Sequence, residues 1–292
     1  SVSQSVGYSI PNEKMNQSDE HNSAVSQDPE QHDKLEHWRL EQEALLEQVT
    51  FPAEDDESCL EFVSNVKYVG GLDISYVKGT EEACVSLVVC NLSDLSVVYS
   101  DFERITTDEP YIPGFLAFRE AKFLRRLIEK YESRQKLNPN KIPLAQVYLT
   151  DGNGILHPKR CGIATHLGVL IQRPTVGIAK KFLRVEGLEK GQALDMFREK
   201  INEDPQGGFT AAYLTDSHDA VLGAAVRSAG GLTKPIFVSQ GNALSLAASL
   251  KIVERCAKYR VPEPIRQADL LSRSWLRDGP EFVQRSLEKQ LV

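Results

Sequence analysis

The order of strand-like and helix-like segments is the feature that most restricts the fold of this chain. Three runs rich in β-forming residues come first, at 66–77, 84–90 and 95–105, and short polar links separate them. Runs of this kind, joined by short turns, predict an antiparallel meander.

A second part of the pattern alternates helices with strands. Apolar residues recur at helical spacing over 113–133, and a buried strand over 145–151 ends in an acidic residue. A helix over 166–171 and a strand over 174–181 come next. Because strands that alternate with helices usually pair in parallel, we expect an α/β fold. Its mixed central sheet begins with three antiparallel strands, continues with parallel strands and is flanked by helices.

Charge and composition divide the chain into a tail and one domain. Residues 1–57 carry 3 basic and 14 acidic residues, whereas the rest of the chain carries 31 basic and 27 acidic residues. Residues 1–34 are polar and poor in large apolar groups, which predicts a disordered acidic tail, or an added remnant if the native start is Met15. Residues 35–285 are expected to form a single domain. Further helices are predicted at 33–50, 242–259 and 264–276, and further strands at 220–227 and 235–239.

The sequence argues against a membrane protein and against a protein linked by disulfides. No apolar run reaches the roughly 18 residues of a membrane helix, and the first residues lack the features of a secretory signal. Five scattered cysteines without a CxxC pair are typical of a reducing compartment and disfavour structural zinc. We therefore expect a protein of the cytoplasm, the nucleus or both, and we expect a monomer.

Three acidic residues occupy positions where a carboxylate could carry chemistry. Asp73 interrupts the apolar run "GGLDISYV", Glu120 lies on the helical segment, and Asp151 ends a buried strand. A carboxylate inside a buried strand is unfavourable unless it is paired or binds a metal. Each acid also has an ordinary interpretation: Asp73 at a solvent-facing strand position, Glu120 as a surface glutamate, and Asp151 in a plain "DGNG" turn.

Taken together, the three acids are hard oxygen donors with no paired histidine or cysteine. Such donors suit Mg²⁺, or Mn²⁺ in its place, better than Zn²⁺. Strand ends are also the places where α/β folds usually build their sites. We therefore expect Asp73, Glu120 and Asp151 to hold Mg²⁺ and to act on a phosphodiester.

A basic stretch without acids follows Asp151. Residues 152–185 contain six basic residues and no acidic one. This composition favours contacts with phosphates near the metal site, although a solvated charged surface would have the same composition. The basic residues are Lys159, Arg160, Arg173, Lys180, Lys181 and Arg184.

A proline-flanked loop precedes the helix at 113–133. The sequence "PYIPG" places Tyr111 and Ile112 between Pro110 and Pro113. Two prolines stiffen the backbone, so the loop could present a rigid aromatic tip that inserts into a stack of bases. The alternative is a helix-entry turn with a buried tyrosine.

Five blocks of the sequence together resemble the endonuclease V family. They read "GGLDISYVKG", "PYIPGFLAFRE", "DGNGILHPKRCGIATHLGV", "PTVGIAKK" and "VPEPIRQADLLS", and they span about residues 66–275 in family order. The resemblance implies an RNase H-like fold and an endonuclease that depends on Mg²⁺ or Mn²⁺. It implies a nick on the 3′ side of inosine, at the second phosphodiester bond, which leaves a 3′-hydroxyl and a 5′-phosphate.

The resemblance also implies that the protein binds inosine-containing RNA or DNA. Bacterial members of the family resemble DNA repair enzymes. The "GG-D-S-VKG" form and the following "AC-SLVV" are more similar to the animal branch, which favours single-stranded RNA over deoxyinosine DNA.

Individual residues take roles from the resemblance where they match the family blocks. It implies that Asp73, Glu120 and Asp151 are metal ligands, and that His157 and Lys180 lie near the scissile phosphate. The strand-separating wedge is Pro110, Tyr111, Ile112 and Pro113. The walls of an inosine pocket are Gly114, Leu116, Gly154, Ile163, Gly177 and Leu183. Phosphate contacts are expected from Lys159, Arg160 and Lys181.

One position departs from the family pattern. Family members commonly have a histidine, beside the metals, where "VSQGNALSL" has Asn242, and asparagine cannot carry a proton. Two hypotheses follow: an active nuclease, which the three intact acids favour, and an inosine-RNA-binding protein with weakened or absent cleavage. A third hypothesis, a small-molecule phosphotransferase built on the "DGNG" loop, is disfavoured because no GKS or GKT sequence follows a glycine loop.

Overall fold

The computed structural model describes residues 29–229, 233–281 and 283. Its helices are α1 (Pro29–Leu46), α2 (Glu57–Asn65), α3 (Leu116–Leu137), α4 (Ile163–Ile171), α5 (Lys190–Glu203), α6 (Leu246–Arg255) and α7 (Glu263–Asp278). Its strands are β1 (Tyr68–Tyr76), β2 (Glu82–Asn91), β3 (Val97–Thr106), β4 (Val147–Asp151), β5 (Thr175–Ala179), β6 (Thr210–Thr215), β7 (Val221–Arg227) and β8 (Ile236–Asn242).

The strands of the described residues form one eight-stranded sheet in the order β3-β2-β1-β4-β5-β8-β7-β6. The first three strands pair antiparallel, and β4 and β5 then continue from β1 in parallel. Antiparallel pairs of β8, β7 and β6 complete the sheet beyond β5. The predicted α/β class, an RNase H-like fold with a mixed sheet flanked by helices, is confirmed.

Helices cover both faces of the sheet because successive side chains of a strand point to opposite faces. Leu149 of β4 belongs to the apolar core that contains residues of α2 and α6. Its neighbour Tyr148 belongs to the core under α3 and α4. Helix α7 packs over β1 and β2, where Ala268 lies in a cluster with Val88. The parallel strands are therefore held between two apolar layers.

Three elements lie where the sequence analysis assigned none, namely α2, α5 and β6. Helix α2 begins directly after Asp56, whose carboxylate accepts a hydrogen bond from the Cys59 amide and so caps the helix. In α5 the side chains of Glu189 and Gln192 form a capping box. Strand β6 alternates buried and less buried residues at one edge of the sheet, which is a weaker apolar signal than that of a central strand.

The structure describes the two ends of the chain only in part. Helix α1 begins at Pro29, before the domain boundary that we predicted at residue 35. Residues 1–28 and 284–292 lie outside the described residues, so the tail and the domain bounds stay predictions. Within the described ranges, no helix is long and apolar enough to cross a membrane. The five cysteines are buried and free, while the location and the monomeric state stay predictions.

Helix α7 approaches β1 so closely that a side chain at Gly71 has no room. A Cβ placed on Gly71 would lie 2.1 Å from the carbonyl carbon of Pro264 and 2.6 Å from the backbone nitrogen of Ile265. Only glycine allows two backbones to approach in this way. This contact fixes the position of α7 over β1.

We expect Gly71→Ala to lower the free energy of unfolding by about 3 kcal/mol, the upper range for an overpacked core, because the new methyl group meets backbone and not a flexible side chain. Urea unfolding measures the change. Gly191→Ala on α5 is the matched control, since no atom lies within 4 Å of its added Cβ; alanine there should stabilise the helix slightly. Equal stabilities for the two variants would contradict the close approach of α7.

Candidate active site

Asp73 and Asp151 lie beside each other on adjacent parallel strands. The register pairs Leu72 of β1 with Thr150 of β4. The residues that follow, Asp73 and Asp151, therefore occupy matching positions and point to the same face of the sheet. Two acids that the sequence predicted from separate motifs are brought together by strand pairing.

The Asp73 carboxylate is buried, with 6% of the residue exposed. Its Oδ2 accepts hydrogen bonds from Ser75 Oγ at 3.0 Å and from Ser272 Oγ of α7 at 3.3 Å. Burial, and then the negative charges of Asp151 and Asp269, raise the pKa of Asp73 to about 6. Two hydroxyl donors do not offset the loss of water around this charge, and a bound cation would do so.

Glu120 reaches the same region from the first turns of α3. It is buried, and its Oε1 accepts a hydrogen bond of 3.0 Å from the Tyr76 hydroxyl. Burial raises the pKa of Glu120 to about 7, and the charges of Asp73 and Asp151 add to the rise. The three predicted carboxylates are therefore close enough to repel one another.

Lys180 is the basic residue in direct contact with the cluster. It follows β5, and its Nζ donates to Asp151 Oδ2 at 2.6 Å. Burial lowers the pKa of Lys180, but the carboxylates of Asp151, Asp269 and Asp73 outweigh burial and leave this pKa raised. Lys180 is therefore a fixed positive charge beside Asp151, while its place near a scissile phosphate stays a prediction.

Asp269 is a fourth acid that the sequence analysis did not single out. It lies on α7, pairs with Arg273 at 2.7 Å, and acts on the pKa of both Asp73 and Lys180. Asp269 belongs to the block "VPEPIRQADLLS", so the signal was an acid inside a family motif. Its distance along the chain from the other acids concealed its role.

A cleft of about 610 Å³ opens beside Asp73 and Asp151, near the carboxyl ends of the central strands β1 and β4. Carboxylates and cationic side chains share its walls, so it can accept a charged and extended ligand. Its lining residues are Asp73, Ile74, Ser75, Tyr76, Val77, Asp151, Lys180, Asp269, Arg273, Leu276 and Arg277.

The donor set fits a hard divalent cation in chemistry and charge. Asp73, Glu120, Asp151 and Asp269 supply four carboxylates, of which Asp151 is paired with Lys180 and Asp269 with Arg273. Across the described ranges, however, no three His, Cys, Asp or Glu side chains stand close enough together to hold an ion as they are. Mg²⁺ or Mn²⁺ would offset the repulsion among the acids, and the side chains would have to converge on it.

The "PYIPG" loop is an exposed turn and not a site for a buried tyrosine. Tyr111 is 66% exposed, which excludes the buried alternative. The turn is closed by a hydrogen bond of 3.0 Å from the Phe115 amide to the Ile112 carbonyl. Gly114 has a φ of 84°, a conformation that favours glycine. A rigid aromatic tip therefore stands at the start of the helix that carries Glu120.

Two glycines assigned to the inosine pocket are required by backbone packing. A Cβ on Gly154 would lie 1.9 Å from the Gln240 carbonyl oxygen, and one on Gly177 would lie 2.3 Å from the Gly154 nitrogen. These contacts explain both glycines without a ligand. The pocket role stays a prediction for Gly114, Leu116, Gly154, Ile163, Gly177 and Leu183.

His157 is buried beyond Asp151, and its hydrogen bonds within the described residues do not include the carboxylates. Its Nδ1 accepts from the Lys159 amide at 3.3 Å. Burial, and then the charge of Lys159, lower the pKa of His157 to about 4, so the ring is neutral near pH 7. Its place near a scissile phosphate stays a prediction.

Acids neutralise most of the basic stretch, and three of the four ion pairs join segments that are far apart in sequence. The ion pairs are Arg160–Asp216, Arg173–Glu132, Lys180–Asp151 and Arg184–Glu189. Lys159 and Lys181 are exposed and form no ion pair with any residue that the structure describes. Both are open to solvent for a phosphate, whereas Arg160 would have to exchange Asp216 for one.

Asn242 lies at the opposite end of β5 from the acids. The register pairs it with Thr175, whereas Asp151 pairs with Ile178, which is roughly 10 Å further along the strand. Its Oδ1 accepts from the Thr50 amide at 3.1 Å, and its Nδ2 donates to the Gly168 carbonyl at 3.2 Å. The expectation that this position adjoins the metal site is wrong for this chain. The hypothesis of a non-cutting binder loses the observation that motivated it.

Sequence comparisons place the chain among known proteins. A model of the endonuclease V family matches residues 53–270. Endonuclease V of Mus musculus is 44% identical over 215 residues, which are 73% of this chain and 61% of the mouse protein. Endonuclease V of Homo sapiens is 43% identical over 215 residues, which are 73% of each chain. The chain thus spans about three fifths of the length of the mouse relative.

Solved structures are similar over the whole domain. A crystal structure of the catalytic domain of human Endonuclease V has a TM-score of 0.73 and 38% identity, over 85% of this chain and 99% of that one. Ciona intestinalis Endonuclease V, in complex with a DNA that contains an inosine followed by a ribo-adenosine, has a TM-score of 0.73 and 35% identity. That match covers 84% of this chain and 99% of the Ciona chain.

We expect Asn242→Ala to lower the free energy of unfolding by about 1–3 kcal/mol, because it leaves buried backbone groups without partners. Activity of the carboxylate site should change by less than about twofold, since roughly 10 Å of strand separates the two. Urea unfolding and activity assays well below the melting temperature measure these effects. A loss of activity without a loss of stability would place Asn242 in the site after all.

Proposed function

The chain belongs to the endonuclease V family, and we propose that it is a Mg²⁺- or Mn²⁺-dependent endonuclease that cuts inosine-containing nucleic acid. The observation that carries the proposal is the cluster of four carboxylates with an unbalanced negative charge at one edge of the sheet. Strongly perturbed carboxylates in a cleft are typical of catalytic sites.

The acids have distinct tasks in the proposed reaction. Asp73 and Asp151, on adjacent strands, would bind the ion. Glu120 of α3 and Asp269 of α7 would contribute further negative charge beside it. When bound, the ion neutralises charge on the phosphodiester and lowers the pKa of water. The hydroxyls of Ser75 and Ser272 keep Asp73 in place by donating to its Oδ2.

Lys180 would stabilise the negative charge that develops on the phosphate. Its ammonium is held beside Asp151, and a positive charge that is already in place is more effective than a mobile one. The products would be a 3′-hydroxyl and a 5′-phosphate.

The exposed turn of Tyr111 supports recognition of a base outside its stack. An aromatic side chain that projects from a rigid turn can take the place of an extruded base. The complex of Ciona Endonuclease V with inosine-containing DNA supports inosine as the base that this chain recognises. We further propose that the cut falls on the 3′ side of inosine, at the second phosphodiester bond.

Single-stranded RNA is the preferred substrate in this proposal. The sequence blocks are similar to those of the animal branch, and the DNA in the Ciona complex carries a ribose directly after the inosine. RNA carries a 2′-hydroxyl at that position and DNA does not, so a contact with this hydroxyl would favour RNA.

A single cleavage panel tests the function. Oligonucleotides with inosine or adenosine at one position, as RNA and as DNA, are incubated with Mg²⁺, Mn²⁺ or a chelator. We expect metal-dependent cutting of the inosine strands, with RNA cut faster than DNA. Cutting that ignores inosine would contradict the proposal, and tight inosine-dependent binding without any cutting would make the protein an inosine-binding module.

Asp73→Asn should reduce cleavage on the order of a thousandfold, the loss expected when a major electrostatic contribution is removed. The variant keeps the shape of the side chain and removes a buried charge, so its melting temperature should be unchanged or higher. Asp195→Asn, at an exposed position on α5, is the control and should cleave normally. An active Asp73→Asn enzyme would remove Asp73 from the mechanism.

Tyr111→Ala should weaken binding of the inosine strand by about tenfold, within the range of 1–3 kcal/mol for one stacked base. Its melting temperature should hold, because Tyr111 is 66% exposed. Fluorescence anisotropy without metal measures the affinity, and Tyr213→Ala, an exposed tyrosine of β6, serves as the comparison. Equal affinities for both variants would show that Tyr111 makes no contact with the strand.

A further inference from the structure

Helix α1 precedes the region that the family model matches, yet one of its side chains enters the domain. Gln42 is 1% exposed. Its Nε2 donates to the Gly114 carbonyl at 2.9 Å and to the Cys161 carbonyl at 3.3 Å. One amide group therefore joins two loops that are far apart in sequence.

The orientation of the Gln42 amide follows from its partners. Both are carbonyl oxygens, which only accept hydrogen bonds, so the amide nitrogen must face them and Oε1 must point away. Oε1 is buried and has no hydrogen-bond partner within the described residues. A buried acceptor without a partner is unfavourable. Methionine would fill a similar volume and remove this acceptor, but it would also remove the donor that the Gly114 and Cys161 carbonyls share.

The two bridged loops carry different parts of the active site. Gly114 ends the turn that presents Tyr111, and α3 with Glu120 follows it directly. Cys161 belongs to the loop that begins after Asp151. The Gln42 bridge therefore fixes the distance between the exposed turn and the loop of Asp151.

Helix α1 is anchored firmly enough to act as a brace. Trp38 stacks on Phe118 of α3, with ring centroids 4.8 Å apart and planes at 9°. Leu45 packs against Cys161 and Val169 of α4 in a small apolar cluster. An ion pair between Lys34 and Glu109 ties the helix to the residue before the "PYIPG" loop. The helix thus contacts both sides of the bridge.

We propose that Gln42 is a positioning residue that holds the Tyr111 turn in register with the Asp151 loop and thereby tunes recognition of inosine. The consequence for recognition rests on the proposed function. The bridge itself does not, because it consists of two hydrogen bonds within this chain. Without it the turn would sample several positions, and only a fraction of the molecules would be ready to bind.

Gln42→Met is the test variant, and Gln48→Met is its matched control. Gln48 follows the same helix and is exposed, and in the described structure its side chain bonds only to the Ala44 carbonyl. Hydrogen–deuterium exchange of segments 111–117 and 160–164 reports on the bridge. Anisotropy with inosine and adenosine RNA in the absence of metal reports on recognition, and thermal melting reports on the fold.

In Gln42→Met we expect faster exchange in these two segments alone and a melting temperature that falls by no more than a few degrees, because two carbonyls lose their donor. The Kd for inosine RNA should rise about tenfold, as it would if the competent fraction fell to a tenth, while the Kd for adenosine RNA stays the same. Gln48→Met should match the unsubstituted protein in every measurement.

Other outcomes overturn the inference. Unchanged exchange in both segments would mean that Gln42 holds nothing in place. A lower melting temperature with faster exchange throughout the chain would make its role purely structural. If the unsubstituted protein binds inosine and adenosine RNA equally, the proposed function fails and the recognition role fails with it, while the exchange data still decide the bridge.

Discussion

The parallel register of β1 and β4 is the constraint on which the rest of the site depends. It sets Asp73 beside Asp151 on one face of the sheet. A slip of one residue would turn Asp73 to the opposite face, because side chains alternate along a strand. Lys180 reaches the same edge because β5 pairs in parallel with β4, and α7 adds Asp269 from above. Strand pairing, not proximity in sequence, assembles the cluster.

The cluster concentrates like charges where water is scarce. Burial raises the pKa of Asp73 and of Glu120, and neighbouring carboxylates add to both shifts: Asp151 and Asp269 at Asp73, and Asp73 and Asp151 at Glu120. Such a site opposes folding, and the two apolar layers around the sheet must offset it. A protein keeps this arrangement when the charges serve a cation and its substrate. The same buried negative charges therefore both destabilise the fold and serve the proposed chemistry.

Contacts between distant segments give several residues a role other than the one that the sequence indicated. Arg160 and Arg173 looked like free phosphate contacts, but Asp216 and Glu132 neutralise them across the fold. Asn242 looked like an altered position beside the metals, but it ties backbone segments together at the far end of β5. Local sequence cannot reveal such partners, since an ion pair or a clamp is formed by residues that only the fold brings together.

The sequence by itself determined the antiparallel meander of the first three strands, the mixed sheet, and the choice of Asp73, Glu120 and Asp151 as candidate acids. These carry local signals: apolar periodicity, turn residues, and a charge inside an apolar run. Only the tertiary structure revealed Asp269 as a neighbour of the cluster and Gln42 as a bridge between two loops. Both lie on helices, where an acid or an amide is ordinary. Which face of a helix meets the site depends on packing against the sheet, and no short stretch of sequence contains that information.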